Sequence, residues 1–125
     1  MPRIRCIRID TAFTNENLID EFCNLKGNLA WVYCKEISKK SKKEHWHIVL
    51  KTERANDTIT RNIKSMFNCY GDKYSHTQLE KTLSKAISYL FKDGNYNIHW
   101  DNNEEIDAAH VEFEAFKFSQ SFNTL

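Results

Sequence analysis

Two histidines flank a tryptophan in the segment EHWHIVLKT. The segment is rich in β-formers, and side chains alternate between the faces of a strand, so His45 and His47 share one face while Trp46 takes the other. A second β-rich segment, NLAWVYCKEI, precedes it, and the polar SKKSKK between them predicts a hairpin with a basic loop. If the strands pair symmetrically about that loop, Glu36 faces His45 and Cys34 faces His47.

This register would bring one carboxylate and two imidazoles together on one face of a sheet. Such a ligand set suits a divalent cation that keeps coordination positions open for water or a phosphate oxygen. We therefore predict a metal site at Glu36, His45 and His47. Two alternatives stay open: strand histidines are often satisfied by neighbours or solvent, and a one-residue slip would turn Glu36 away. Glu44 competes as the carboxylate but flanks His45 on the opposite face.

A tyrosine stands between two lysines in the segment KAISYLFKDG. At helical spacing Lys85, Tyr89 and Lys92 share one side of a helix, and the apolar side is formed by Leu83, Ile87, Leu90 and Phe91. A phenol with a pKa of about 10 is a weak nucleophile near neutral pH, so nearby cations would favour its phenolate. Tyr89 is thus a candidate nucleophile, and the alternative is a boundary residue of an amphipathic helix.

The elements that position these residues follow from hydrophobic periodicity and turn signals. The pattern predicts the order βαββαβαβ: a strand at RIRCIRI, a helix capped by Thr14 or Asn15, the hairpin, a helix capped by Asn56 or Asp57, a strand at DKYSHTQL, a helix ending at Gly94, and a strand at NYNIHW. We predict an α+β fold, a ferredoxin-like or RRM-like antiparallel sheet of about five strands with helices packed on it. His76, His99 and His110 stand alone and are expected to be structural or exposed.

Composition fits one intracellular domain. The 125 residues suffice for a single core, and four dispersed cysteines without a C-x-x-C pair argue against a disulfide framework or a zinc ribbon. No apolar run is long enough for a signal peptide or a membrane span. Residues 1–100 hold 17 Lys/Arg against 11 Asp/Glu, and residues 101–125 hold 1 against 6. A basic body suits a polyanion such as nucleic acid, and residues 101–125 should add an acidic helix or tail to the same domain.

Together these motifs resemble the replication initiator (Rep) proteins of the HUH endonuclease superfamily, from small circular single-stranded DNA viruses and related plasmids. The family's histidine-hydrophobic-histidine motif matches His45-Trp46-His47, and Glu36 resembles its upstream carboxylate ligand. Its Tyr-x-x-Lys motif, followed by an acidic residue and glycine, matches YLFKDG, so Tyr89 resembles the nucleophile and Lys92 the companion lysine. The resemblance spans about residues 1–100, the expected HUH endonuclease domain.

The resemblance implies nicking and joining of single-stranded DNA at a replication origin, with Mg²⁺ or Mn²⁺ as cofactor. Tyr89 would attack the scissile phosphate and leave a 5′-phosphotyrosyl link and a free 3′-OH that primes rolling-circle synthesis. The DNA backbone would be bound by Lys39, Lys40, Lys42, Lys43, Lys85 and Arg8. A helicase, in trans or in a longer parent protein, is an expected partner, and no contact with a membrane is expected. The expected location is the host nucleus for a protein of a eukaryotic virus and otherwise the cytoplasm.

Some features depart from the family's pattern. Its first motif, rich in Phe and Thr, is matched only loosely by DTAFTN, which leaves Phe13, Thr14 and Asn15 open as DNA-reading residues. No G-x-x-x-x-G-K-[ST] motif of a helicase is present. A non-catalytic RRM-like nucleic-acid binder is the main alternative, although no convincing RNP-like motif supports it. An HUH transposase is the second, but those enzymes place glutamine where this chain has Asp93.

Overall fold

Five strands form one antiparallel sheet. The structure, a computed structural model, describes residues 1–37 and 43–123. Within these residues the strands are β1 (Arg3–Asp10), β2 (Asn28–Ile37), β3 (Glu44–Thr52), β4 (Tyr74–Gln78) and β5 (Tyr96–His99). They lie side by side in the order β4-β1-β3-β2-β5, so the hairpin that carries the two histidines is at the centre of the sheet.

Helices cover both faces of this sheet. In the described part of the chain they are α1 (Glu16–Cys23), α2 (Asn56–Phe67), α3 (Leu83–Leu90) and α4 (Asn103–Asn123). α1 and α2 pack against one face, and α3 and α4 pack against the other. The observed α+β architecture, with the order βαββαβαβ before α4, confirms the predicted ferredoxin-like fold.

The face under α1 and α2, which we call the core face, is closed and apolar. Its strand residues are Ile7, Ile9, Trp31, Tyr33, Trp46, Ile48 and Leu50. The helices contribute Ile19 and Phe22 from α1 and Ile59, Ile63 and Phe67 from α2. All of these side chains are buried, and each large apolar side chain buried from water stabilises the fold by roughly 1.5–3 kcal/mol. The core face therefore holds the larger apolar cluster of the described residues.

The opposite face, which we call the site face, is apolar at one end and polar at the other. Its residues on the β2–β3 hairpin are Val32, Cys34, Glu36, His45, His47 and Val49. The buried side of α3, formed by Ala86, Ile87 and Leu90, packs against the valines. The carboxylate and the imidazoles lie beyond this contact, so that His45 and His47 are only half-buried.

Helix boundaries agree with the predicted caps in some places and differ in others. The Asn15 side chain accepts a hydrogen bond from the Leu18 N–H at 2.9 Å and caps α1, one of the two predicted possibilities. The predicted caps of α2 were wrong: Ala55 is the N-cap residue and makes no side-chain cap bond, which leaves Asn56 and Asp57 inside the first turn. The predicted extension of α3 to Gly94 was also wrong, because α3 ends at Leu90 and a turn follows.

The C-terminal segment is helical over Asn103–Asn123. Its start is fixed by Asn102, whose side-chain oxygen accepts hydrogen bonds from the backbone N–H groups of Glu104 at 3.0 Å and Glu105 at 3.3 Å. Ala109 is buried against the α3 cluster, and Phe113 is half-buried there. α4 therefore packs against α3, the helix that carries Tyr89. In the described residues no helix combines the length and apolar character that crossing a membrane requires.

Candidate metal and nucleophile site

The β2–β3 hairpin pairs in the predicted register. Cys34 lies opposite His47, and Glu36 lies opposite His45. Directly opposed residues of an antiparallel pair point to the same face, so the strand geometry alone brings this carboxylate to the two imidazoles. Glu44, the competing carboxylate, instead lies 3.8 Å from the Lys35 ammonium. The observed geometry therefore places Glu36, rather than Glu44, beside the two imidazoles.

The three predicted ligands converge on one point. His45 Nε2 and His47 Nε2 are 2.9 Å apart, and Glu36 Oε2 lies 2.7 Å from His47 Nε2 and 3.7 Å from His45 Nε2. Ligand atoms about 2.1 Å from one ion are roughly 3.0–3.4 Å apart in octahedral or tetrahedral geometry, so shifts of about 0.1–0.3 Å in these separations would let the three atoms share a divalent cation. Oε2 is buried and has no hydrogen-bond partner among the described residues, although His47 is close. A buried oxygen left without a donor fits a metal ligand.

The charge states in this cluster favour metal binding. Burial lowers the pKa of His47 to about 4, against the opposing effect of Glu36, so its imidazole is neutral near pH 7 and can bind a cation. Burial raises the pKa of Glu36, but its contacts with Lys92, His47 and Tyr89 together lower it by more. The net pKa of Glu36 is below its ordinary value, so this buried side chain stays a carboxylate.

Tyr89 and Lys92 reach the same carboxylate from the other side. The Tyr89 hydroxyl donates to Glu36 Oε1 at 3.1 Å, and the Lys92 ammonium donates to that oxygen at 2.6 Å and to the Tyr89 oxygen at 3.0 Å. The His47 and Tyr89 rings meet edge to face with centroids 5.8 Å apart. One oxygen of Glu36 thus faces the histidines, and the other faces the phenol and its lysine.

Lys92 occupies a different position from the one predicted. The sequence pattern placed it on the helix with Lys85 and Tyr89, but it lies in the turn after α3. From there its ammonium lies 4.1 Å from the centroid of the Tyr89 ring. Burial lowers the pKa of Lys92, but its hydrogen bonds with Glu36 and Tyr89 raise it by more, so it remains an ammonium. A phenol, a fixed cation and a candidate metal site therefore share one location.

The predicted DNA-binding residues are spread around this site. Arg8 on β1 is in register with His47 and lines the same cleft as Tyr89. Lys85 is exposed on α3, one turn before Tyr89, and lines the groove between α3 and α4. Lys43 lines a smaller cavity with Arg8 and His45. The other three predicted residues, Lys39, Lys40 and Lys42, lie outside the described part of the chain.

The residues left open in the first motif have structural contacts. Phe13 packs against the cluster of the core face, and Asn15 caps α1. The single histidines are also engaged elsewhere: His76 bonds with Arg5 and Thr60, His99 stacks on Trp31, and His110 stacks on Phe91. Their expected structural or exposed character agrees with these contacts.

One basic residue near Tyr89, the candidate nucleophile, was not predicted from the sequence. Lys81 lies before α3, with its ammonium 5.5 Å from the centroid of the Tyr89 ring. It also lines a cleft of about 390 Å³ between β1, β4 and α3, together with Arg8, His47 and Tyr89. No spacing in the sequence indicates this proximity, because Lys81 precedes the periodic part of the helix.

No model of a known protein family matches this chain, and no curated protein matches it.

Proposed function

We propose that this protein is a metal-dependent endonuclease of the HUH replication initiator type, which nicks and rejoins single-stranded DNA at a replication origin. The observation that supports it best is the Glu36 carboxylate, which faces two imidazole nitrogens with one oxygen and the Tyr89 hydroxyl and Lys92 ammonium with the other. The four side chains of the two predicted motifs and their shared carboxylate thus form one cluster.

The reaction would be a transesterification at phosphorus. The Tyr89 oxygen forms a bond to phosphorus as the bond to the 3′ oxygen breaks, and the proton lost by the phenol is balanced by the one that the 3′-OH gains. A divalent cation held by Glu36, His45 and His47, either Mg²⁺ or Mn²⁺, would supply polarisation of the scissile phosphate. The phosphotyrosyl link keeps the energy of the broken bond, so a later 3′-OH can attack it and rejoin the strand.

The basic side chains near Tyr89 have separate roles in the proposed reaction. Lys92, 3.0 Å from the phenolic oxygen, stabilises negative charge on the tyrosine and on the phosphate that it attacks. Lys81, close to the same ring, and Arg8, across the cleft, would bind the phosphates on either side. Tyr89 is 42% exposed, so a DNA strand can reach its hydroxyl without an opening of the fold.

The test is covalent capture of DNA. The protein is incubated with a randomised pool of single-stranded DNA and Mn²⁺, resolved by denaturing electrophoresis, and digested with trypsin for mass spectrometry. We expect a slower band whose nucleotide is attached to the peptide containing Tyr89. Tyr89→Phe should remove the band, whereas Tyr70→Phe, which alters a comparably exposed tyrosine outside the site, should leave it unchanged.

Two results would decide against the proposal. A nucleotide attached to another tyrosine would remove Tyr89 from the reaction. Binding of the DNA pool without any adduct or cleavage would favour a non-catalytic binding module. Sequencing of the captured strands would identify the origin sequence in the case that the adduct forms.

A further inference from the structure

Tyr89 lies between two cavities. One is the cleft of about 390 Å³ between β1, β4 and α3, and the other is a groove of about 780 Å³ between α3 and α4. Tyr89 and Lys81 line both of them. A phosphodiester held at the Tyr89 hydroxyl has one nucleotide on each side, so two separate cavities beside this hydroxyl match the two directions in which the strand must leave.

The two walls of the α3–α4 groove differ in chemistry. The wall formed by α3 and its flanking residues is mainly basic, with Lys81, Lys85, Ser88, Lys92 and Asp93. The α4 wall is aromatic and hydrogen-bonding, with Glu112, Phe113, Phe116 and Gln120. A nucleotide has the same asymmetry, because its phosphate is anionic and its base offers a flat ring with polar edges. The groove volume also lies within the roughly 300–1,000 Å³ of pockets that hold small ligands.

The two phenylalanines of the α4 wall are not equivalent. Phe113 is half-buried, with its ring in edge-to-face contact with Phe91 and its face 4.9 Å from the Lys117 ammonium. Phe116 is 55% exposed, and its ring makes no aromatic or cationic contact within the described part of the chain. Phe116 is therefore the ring that a base can stack on without displacing another side chain.

We propose that the α3–α4 groove binds the nucleotide next to the scissile phosphate, with its base stacked on Phe116 and its backbone phosphate beside Lys81 and Lys85. This assignment rests on the proposed function, since it takes the phosphate at Tyr89 as its starting point. It gives α4, which lies outside the region of resemblance, a direct part in substrate binding.

The test measures binding of single-stranded DNA in a Tyr89→Phe background, which prevents covalent capture. The probe is a fluorescein-labelled oligodeoxythymidine, and its dissociation constant is measured by fluorescence anisotropy. Loss of one base–aromatic stack should weaken binding about 5- to 150-fold, so we expect this effect for Phe116→Ala. Phe118→Ala is the matched control, because Phe118 is exposed on the same helix and does not line the groove; we expect a change of less than about twofold for it.

A further variant distinguishes the loss of base stacking from a loss of the fold. Phe116→Trp keeps a stacking surface, so it should restore binding that Phe116→Ala loses, and this restoration would show that stacking is responsible. Equal affinities of Phe116→Ala and Phe118→Ala would overturn the proposal, as would the lack of oligodeoxythymidine binding by the parent protein. A dimer that dissociates in Phe116→Ala, with DNA affinity unchanged, would assign the groove to a second copy of the chain and overturn it too.

This result is separable from that of the proposed function. Adduct formation by the wild-type chain with no effect of Phe116→Ala on DNA affinity contradicts the groove alone. A Phe116-dependent affinity without any adduct supports the groove as a site for single-stranded DNA while the nicking activity fails.

Discussion

His47 and His76 lie on opposite faces of the same sheet, and burial lowers the pKa of each to about 4. Their partners differ. His76, on the core face, accepts a hydrogen bond from the Arg5 guanidinium at 2.8 Å and bonds to the Thr60 hydroxyl at 2.9 Å, so both of its ring nitrogens are satisfied. His47, on the site face, has its Nε2 beside a second imidazole and a carboxylate oxygen without a donor. The nature of the partners, rather than the pKa, separates a structural histidine from a candidate ligand.

The same contrast holds along a single strand. Trp46 lies between the two candidate ligands and is 8% exposed on the core face, where it packs edge to face on Tyr33. Because side chains alternate along β3, the core residue Trp46 and the candidate ligands on either side of it lie on opposite faces of the sheet. Substitutions on the core face should therefore affect folding, and those at the polar end of the site face should affect metal binding and reaction.

The largest effect is expected from removal of both histidines of the site face. His45→Ala with His47→Ala should weaken Mn²⁺ binding more than about 100-fold and abolish the DNA adduct, since loss of a ligand exceeds the 10–100-fold cost of losing an outer-shell partner. Isothermal titration calorimetry measures the affinity, and circular dichroism should show an intact fold. His99→Ala with His110→Ala is the control pair and should bind Mn²⁺ normally. Undiminished metal-dependent cleavage by the first variant would remove these histidines from the site.

Trp46→Ala should have the opposite effect, because it should destabilise the fold and leave Mn²⁺ binding nearly unchanged. Loss of this buried side chain should lower the free energy of unfolding by about 3–5 kcal/mol, the usual cost of a large-to-small change at a core aromatic. Urea denaturation measures this, and the Mn²⁺ affinity of the folded fraction should stay within about threefold of wild type. Trp46→Phe is the milder variant if the alanine protein is too unstable. A folded Trp46 variant that no longer binds Mn²⁺ would contradict the assignment of folding to the core face and metal binding to the site face.

Lys92→Ala should slow the reaction without abolishing it. In the proposed reaction the ammonium stabilises charge beside the Tyr89 oxygen but forms no covalent bond, so we expect adduct formation to be about 100-fold slower in single-turnover assays. Lys26→Ala, at an exposed lysine between α1 and β2, should leave the rate unchanged. A Lys92→Ala protein with the wild-type rate would limit Lys92 to a structural contact with Glu36.

The smallest effect concerns the pH dependence of stability from the core face. His76 has a pKa of about 4 when folded, below the ordinary 6.5, so the unfolded chain takes up its proton first as the pH falls. Its contribution to stability is therefore complete above pH 6.5 and is lost between about pH 6.5 and 4. His76→Gln should flatten the fall in unfolding free energy over this window in urea titrations. His110→Gln, at an exposed position, should keep the wild-type slope, and an equal slope in both variants would contradict the role of burial.

The sequence alone was sufficient to predict how the three candidate metal ligands come together. Period-two alternation and the symmetric hairpin predicted that Glu36 would join His45 and His47, and the observed pairing has that register. Helical spacing also predicted which side of α3 is buried and that Lys85 lies one turn before Tyr89. These features depend on local geometry, which repeats regularly along a strand or helix.

Features that depend on tertiary packing were not predictable in this way. The sequence pattern continues past Leu90, but the chain leaves the helix there, and Gly94 in the following turn has a φ of 70°. Lys92 therefore approaches Glu36 from a turn rather than along the helix. The proximity of Lys81 to Tyr89, and of α4 to α3, requires the packing of elements whose relative positions no spacing specifies.

Because one oxygen of Glu36 faces the histidines and the other faces the Tyr89 hydroxyl, Tyr89 can serve as a spectroscopic reporter of the candidate metal site. Mn²⁺ is paramagnetic, and its effect on nuclear relaxation falls steeply with distance. The Tyr89 hydroxyl contacts the same carboxylate that faces His45 and His47. A cation bound by those ligands should therefore broaden the ring signals of Tyr89 strongly. Occupancy of the candidate metal site could then be followed from Tyr89 itself, without DNA and without turnover.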